Sequence, residues 1–225
     1  FLAVVVRPRY GSFGDILFDG KIGIFPFVFS EAAKRNSKNR RVETMETKPI
    51  TSVKKEIIRV CLIEKALPIT RSKWLMNDTR TIFIQQDNAR PHIGPTDTEF
   101  LEAASMDGFN IQLVCQPPNS PDLNVLDLRY FRAIQSLQHQ KASSTVDELV
   151  AVVQTSFETL SVYGLNNVFL SLQACIIETM KVRGENNYRI PHVGKDSLEN
   201  GGNLPLQLDC NIDLVRDVQK ILNTN

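Results

Sequence analysis

Residues 83–92 read FIQQDNARPH. Apolar and amide side chains run straight into Asp87, and Asn88, Arg90, Pro91 and His92 follow. A strand that ends on a carboxylate, with a proline halting backbone pairing a few residues later, holds an acid at the rim of a sheet. The strand itself is expected over 79–86, TRTIFIQQ. Downstream, TDTEFLEAASMDG at 96–108 reads as a short helix ended by Gly108, and NIQLVCQ at 110–116 as a second strand closed by PPNSP. Ser120 then offers a cap and Pro121 a first helical position. The helix they open carries one apolar stripe of Leu123, Leu126, Tyr130, Ile134 and Leu137.

Upstream, FLAVVVRPR at 1–9 and KIGIFPFVF at 21–29 are β-branched and apolar and read as a two-stranded hairpin, with YGSFGDILFDG as turn and linker. Pro26 pushes the second strand toward an edge or an irregular end. Residues 30–49 are polar and read as a loop; KRNSKNRR at 34–41 holds five Lys or Arg in eight positions. Val53, Ile57, Val60, Cys61 and Leu67 recur at helical spacing over 51–67, and Pro68 is expected to close that helix. Toward the C-terminus, Thr145 and Glu148 form a capping box before Val146, Leu149, Val150, Val153, Phe157 and Leu160. Helices are expected over 165–181 and 212–223, with an irregular Gly- and Asn-rich stretch at 184–204. Strands alternating with helices give an α/β class. The expected division is 1–140, and 141–225 as a helical extension packed on it.

The chain has 225 residues, 42% apolar and 23% charged, enough for one sizeable core or a core with a small appendage. A net charge of +1 offers no whole-chain attraction for nucleic acid or membrane, so any such contact rests on local patches. Cys61, Cys115, Cys175 and Cys210 stand singly, which points away from a zinc module or a disulfide framework and toward a reducing compartment. The opening FLAVVV is too short for a membrane span and lacks the basic residues of a signal peptide, and no other apolar run approaches membrane length. It also begins without Met and inside a strand, from which a truncated chain is expected.

Three acids stand where strands give way to turns: Asp87, Asp122 and Asp127. On one α-helix, Asp122 and Asp127 would lie about 140° apart and face different partners. Asp122 suits the first turn, where a carboxylate offsets the helix dipole, whereas Asp127 flanks the apolar stripe and faces the sheet edge. Hard divalent cations take oxygen ligands, so paired Asp from separate elements suits magnesium. Two metals in phosphoryl transfer need a third carboxylate.

QQDNARPH followed by QPPNSPDLNVLDLRYF resembles the catalytic domain of mariner-like transposases, in particular the plant-type family whose second and third acids are both Asp with thirty-nine residues between them, the spacing of Asp87 and Asp127. The similarity extends to VRPR at 6–9, FDGKIGIFPFV at 18–28, ETKPI at 46–50 and NNYRIPHVGKD at 186–196. It implies an RNase H-like fold, a mixed sheet flanked by helices, and three carboxylates holding two magnesium or manganese ions. It implies cutting of transposon ends and strand transfer into target DNA, a nuclear location, and DNA as partner. Asp87 carries over as the second acid and Asp127 as the third. The family's first acid lies in a stretch resembling DEKW on the first strand, which does not occur in this sequence, and Asp15 and Asp19 sit in the hairpin linker. The resemblance therefore implies the carboxy-terminal part of a transposase, truncated at its first strand and inactive as it stands.

Other residues follow from the same reading. His92 lies where the family also places a His, and Asn88 is positioned to orient Asp87. Lys34, Arg35, Lys38, Arg40 and Arg41 are candidate phosphate contacts, salt-dependent and blind to sequence. Trp74, beside Arg71 and Lys73, reads as a half-buried packing residue ahead of a base-stacking one. The helices at 145–181 suit either a core or a homodimer surface. No membrane and no small-molecule cofactor are expected. A non-catalytic DNA-binding or oligomerising remnant is the alternative function, and an unrelated nuclease of the same fold a third.

Overall fold

The computed structural model describes residues 1–36, 41–131, 135, 143–191 and 204–224. It is a mixed α/β chain of several small sheets and helices, in two compact units. The first unit comprises 1–6, 20–115 and 134–160, and the second 7–19, 116–133 and 161–225.

In the first unit, β1 (Leu2–Val5) runs antiparallel to β4 (Lys21–Phe25), as the hairpin reading expects. Gly23 lies opposite Val4, and a Cβ there would stand 2.5 Å from Cζ of Phe25, so the bare position lets that ring fold back over the strand. Pro26 ends β4. The chain resumes as β5 (Val28–Ala32), paired in full antiparallel register with β6 (Met45–Pro49). This corrects the loop expected over 30–49. Glu31 stands directly opposite Glu46, and Lys34 and Lys48 offset that repulsion with ion pairs of 3.0 and 2.9 Å to the same two carboxylates.

The segment expected to stop at Pro68 continues. α1 (Lys55–Cys61) passes through a π turn (Leu62–Ala66) into α2 (Leu67–Lys73), with Pro68 in the first turn of the latter. A proline cannot donate to the carbonyl four residues back and its ring collides with it. The π turn widens the helix there, with the Leu67 N–H bonded to the Leu62 carbonyl five residues back, and the chain stays helical. Trp74 ends α2 half-buried, its Nε1–H donating to the Thr79 carbonyl at 2.8 Å, which is a packing role.

β7 (Thr81–Gln86) and β8 (Asn110–Cys115) pair in parallel, from Thr81 opposite Asn110 to Gln86 opposite Cys115. Between them runs α3 (Thr98–Ala104), the crossover that a parallel pair requires. Ile82 and Ile84 of β7 and Ile111 and Leu113 of β8 join Phe25, Ile58, Leu62, Leu67 and Phe100 in one core. Asp97 caps α3 by accepting from the Phe100 N–H, and Arg59 grips the same carboxylate from α1 at distances of 2.7–3.1 Å. That guanidinium holds the Asp97 carboxyl below the usual carboxylate range. The stabilisation is therefore complete above the unfolded value of about 3.9 and is lost as pH falls through the lower folded value. Asp97→Asn is expected to flatten the acid limb of the stability curve below about pH 4. Asp97→Ala should additionally cost about 1 kcal/mol for removal of the cap. Urea titrations across pH 2–7 check both, and an unchanged acid limb in Asp97→Asn would refute the assignment.

α4 (Val146–Thr159) starts with the expected capping box of Thr145 and Glu148, and hydrogen bonds to the Glu148 carboxylate from the Ser144 N–H, the Ser144 hydroxyl and the Thr145 N–H lower its pKa. Near its other end, Lys21 is buried and donates from Nζ to the Glu158 carbonyl at 2.5 Å. A cation at a helix C-terminus is favoured by the dipole.

The second unit holds the small hairpin β2 (Arg9–Tyr10) and β3 (Ile16–Phe18), which organises part of the expected linker. It also holds α5 (Val162–Lys181), which is capped by Ser161 and starts at Val162, three residues ahead of the expected 165, and α6 (Ile212–Asn223), at its expected bounds. Ile134 and Leu137 of the expected stripe, and residues 192–203, lie outside the described residues. All four cysteines are free. No single helix among the described residues is long and apolar enough to cross a membrane.

Candidate functional site

Asp87 is the first residue past β7, at the carboxyl end of the parallel pair, where open α/β sheets present ligand-binding groups. The chain turns at once. The Ala89 N–H donates to Asp87 Oδ1 at 2.9 Å, an Asx turn, and the His92 N–H donates to the Ala89 carbonyl at 3.0 Å. Pro91 keeps the segment out of the sheet and brings His92 back over Asp87. His92 Nδ1 lies 2.8 Å from Oδ1 and 3.1 Å from the Asp87 backbone carbonyl. Both neighbours are acceptors, so Nδ1 carries a proton in this arrangement. Among the described residues, the contacts to the Asp87 carboxylate fall on Oδ1. The side chain is 41% exposed. Gln86 fixes the return of the loop, donating from Nε2 to the Ile93 carbonyl at 2.6 Å, with Ile93 buried in the core. Asn88 is exposed beside Asp87.

Asp127 belongs to the second unit. A single helix is expected from Ser120, with Asp122 and Asp127 on different faces of it. Instead, a 3-10 turn (Pro121–Leu123) carries Asp122, Asn124 is extended (φ −106°, ψ 112°), and a π turn (Leu126–Tyr130) carries Asp127. Ser120 makes no side-chain cap; its hydroxyl donates to the Pro118 carbonyl. Asn124 does the capping, its Oδ1 accepting from the Leu126 N–H at 3.0 Å. Its Nδ2 donates to Asp127 Oδ2 at 2.9 Å, so one amide both starts the π turn and orients the acid. Asp127 is exposed in the first turn, while Tyr130 is fully buried, and that burial pushes the phenol's pKa upward.

Asn124 is not among the residues singled out from the sequence, although an Asn three residues before an acid is a helix-start signal. A second tie is likewise visible only in the fold. In the same unit Asn186 donates to the Asn119 carbonyl at 3.1 Å, and Thr179 Oγ1 on α5 stands 3.1 Å from the Tyr188 hydroxyl. The NNY of 186–188 is thereby fastened to the PPNSP loop that precedes Asp127.

The basic run sits at the connection of the β5–β6 hairpin. Lys34, Arg35 and Arg41 are exposed, and Lys38 and Arg40 lie outside the described residues. The carbonyl of Asn36's side chain accepts from the Val42 N–H at 2.6 Å and closes the base of the connection. Asp15 is exposed on the β2–β3 hairpin, and Asp19 follows β3.

Asp87 and Asp127 each offer carboxylate oxygens of the kind a hard divalent cation takes. Among the described residues no group of three or more His, Cys, Asp or Glu is gathered closely enough to hold a metal. Comparison with protein-family models, with curated proteins and with solved structures found no match to the chain.

Proposed function

We propose that this chain supplies part of the catalytic domain of a mariner-like DNA transposase, with an RNase H-like fold and with Asp87 and Asp127 as two of its three metal-holding acids. The observation that carries the reading is the pair of acids with thirty-nine residues between them, each presented at the start of a turn and each engaged by a neighbouring side chain. The sheets support it as well. Among the described residues β1 pairs with β4 alone and β7 with β8 alone, although both sheets lie on one core. One further strand pairing with both β1 and β7 would join them into the mixed sheet that the resemblance implies.

On this reading Asp87 and Asp127 donate carboxylate oxygens to magnesium or manganese. His92 and Asn124 are positioning residues, each engaging one oxygen of its acid and so fixing how the other is turned. The bound ions supply the charge that activates water or a 3′-hydroxyl against a phosphodiester and steadies the leaving oxygen. The first acid, in a stretch like DEKW, is not among these 225 residues, and the reading assigns neither Asp15 nor Asp19 to the site. The chain as given is inactive on this reading. Its test is to join the chain to a first-acid strand of the family. The folded fusion is expected to cut DNA in the presence of magnesium or manganese; a folded fusion that cuts nothing overturns the proposal.

The exposed cations of the β5–β6 connection favour a second reading, a DNA-binding remnant without catalysis. Changing Lys34, Arg35 and Arg41 to Glu is expected to weaken DNA binding by roughly 10-fold or more. It should also reduce the slope of log affinity against log salt by about 0.9 for each phosphate that is no longer neutralised. Binding that keeps its affinity and salt slope in this variant removes the run from the interface.

A further inference from the structure

Pro117, Pro118 and Pro121 leave the loop that leads to the Asp127 turns with few N–H groups of its own. Pro117, Pro118 and Asn119 are exposed. Asn119 takes φ +57°, a left-handed conformation that Asn adopts more readily than most residues but less readily than an extended one. A backbone with so few donors is held by side chains instead. The Ser120 hydroxyl donates to the Pro118 carbonyl at 3.3 Å, and Asn186 Nδ2 donates to the Asn119 carbonyl at 3.1 Å. The first bond is local; the second reaches across 67 residues of chain.

The end of α5 brings Asn186 to that carbonyl. Arg183 and Gly184 both take positive φ, +57° and +90°, and the Gly184 N–H donates to the Thr179 carbonyl at 2.8 Å, which caps the helix and reverses the chain. Tyr188 then pins the returning segment. The Thr179 hydroxyl donates its one hydrogen to the Cys175 carbonyl at 2.9 Å, so the Tyr188 hydroxyl, 3.1 Å away, donates to Thr179 Oγ1. Tyr188 is half-buried, whereas Asn186 is exposed. In the same unit α5 packs against both the 3-10 turn and the π turn that carries Asp127.

We infer that Asn186 and Tyr188 are positioning residues for Asp127: they brace the proline loop against the end of α5 and so fix where the turns, Asn124 and the Asp127 carboxylate stand. The links are continuous. The Leu123 N–H donates to the Ser120 carbonyl at 3.0 Å, the Asn124 N–H donates to the Pro121 carbonyl at 3.2 Å, and Asn124 in turn holds Asp127 Oδ2. A ligand whose support is loosened loses metal affinity, as happens when groups behind a metal ligand are removed. That consequence rests on the transposase reading, because only there is Asp127 a metal-holding acid; the brace itself does not.

Amide hydrogen exchange of the full chain, read residue by residue by NMR, tests the brace. Asn186→Ala and Asn186→Asp, the latter of the same shape but without the donor, are each expected to speed exchange at Leu123, Asn124 and Leu126 by about 5- to 10-fold, the effect of one lost hydrogen bond. Tyr188→Phe should act in the same direction by about 3-fold, since it loosens the segment that carries Asn186. Amides in the middle of α5, from Leu170 to Cys175, should keep their protection, which separates a lost brace from a damaged fold. In the chain joined to a first-acid strand, Asn186→Asp should raise the magnesium concentration for half-maximal cleavage by about 5- to 10-fold. KM for DNA should stay unchanged, and saturating magnesium should restore the parent rate. Unchanged exchange in Asn186→Asp overturns the brace. Faster exchange with an unshifted magnesium dependence, in a fusion that cuts, overturns its role toward Asp127. A fusion that cuts nothing overturns the transposase reading, and exchange at Asn124 and Leu126 still decides the brace.

Discussion

Asp87→Ala and Asp127→Ala, each made in the chain joined to a first-acid strand, are expected to lower metal-dependent DNA cleavage by on the order of 10³-fold. The size follows from the role. A carboxylate that holds the ions works on the charge that develops at phosphorus, and alanine offers no oxygen in its place. Stability should hardly change, because Asp87 is 41% exposed and Asp127 is exposed in the first turn of a short helix. Asp87→Asn is the sharper variant. It keeps the Asx turn to the Ala89 N–H but removes the charge, so cleavage should fall as far as in Asp87→Ala while the thermal midpoint stays that of the wild type. His92→Ala and Asn124→Ala are expected to cost less, about 10- to 100-fold, as is usual for groups that orient a metal ligand. Cleavage by Asp87→Asn or Asp127→Ala at the parent rate would remove these acids from the chemistry.

The largest effect on folding is expected from Phe100→Ala, about 3–5 kcal/mol. Phe100 is fully buried on α3, and its ring fills the core between that helix, the α1–α2 segment and the β7–β8 pair. Removing it leaves a cavity that Leu62, Leu67, Ile82 and Ile111 close only in part, and the missing dispersion attraction adds to the transfer free energy of the ring. Leu101, its neighbour, is 43% exposed, so Leu101→Ala should cost under about 1 kcal/mol and serves as the control. Equilibrium unfolding in urea measures both. Equal destabilisation by the two substitutions would refute the placement of α3 on this core.

His92 shows how far a sequence reaches. The motif sets a histidine five residues after Asp87, and a proline between them argues that the chain leaves the sheet. That Nδ1 comes to rest on Oδ1 at 2.8 Å depends on the return of the loop, which Gln86 and the buried Ile93 anchor. Asp127 is a contrary case. Its apolar neighbours point to a single helix from Ser120, but Asn124 competes for the backbone through its own side chain and divides the segment into a 3-10 turn and a π turn.

Local chemistry was enough where a segment's own side chains settle its conformation. The strands β7 and β8, with Ile82 and Ile84 and with Ile111 and Leu113 at alternate positions, fall close to their expected positions, as do the Thr145–Glu148 capping box and α6. The sequence by itself therefore determined the α/β class and the position of Asp87 at a strand end. Tertiary structure decided the rest. Val28–Ala32 and Met45–Pro49 have too little apolar alternation to declare themselves strands, and it is their cross-strand register, with two lysines offsetting two facing glutamates, that makes them a hairpin. Pro68 would end an isolated helix. Here Leu62, Ala66 and Leu67 are buried in the core, and burying them outweighs the carbonyl geometry that the proline disrupts, so the helix widens by one π turn and continues.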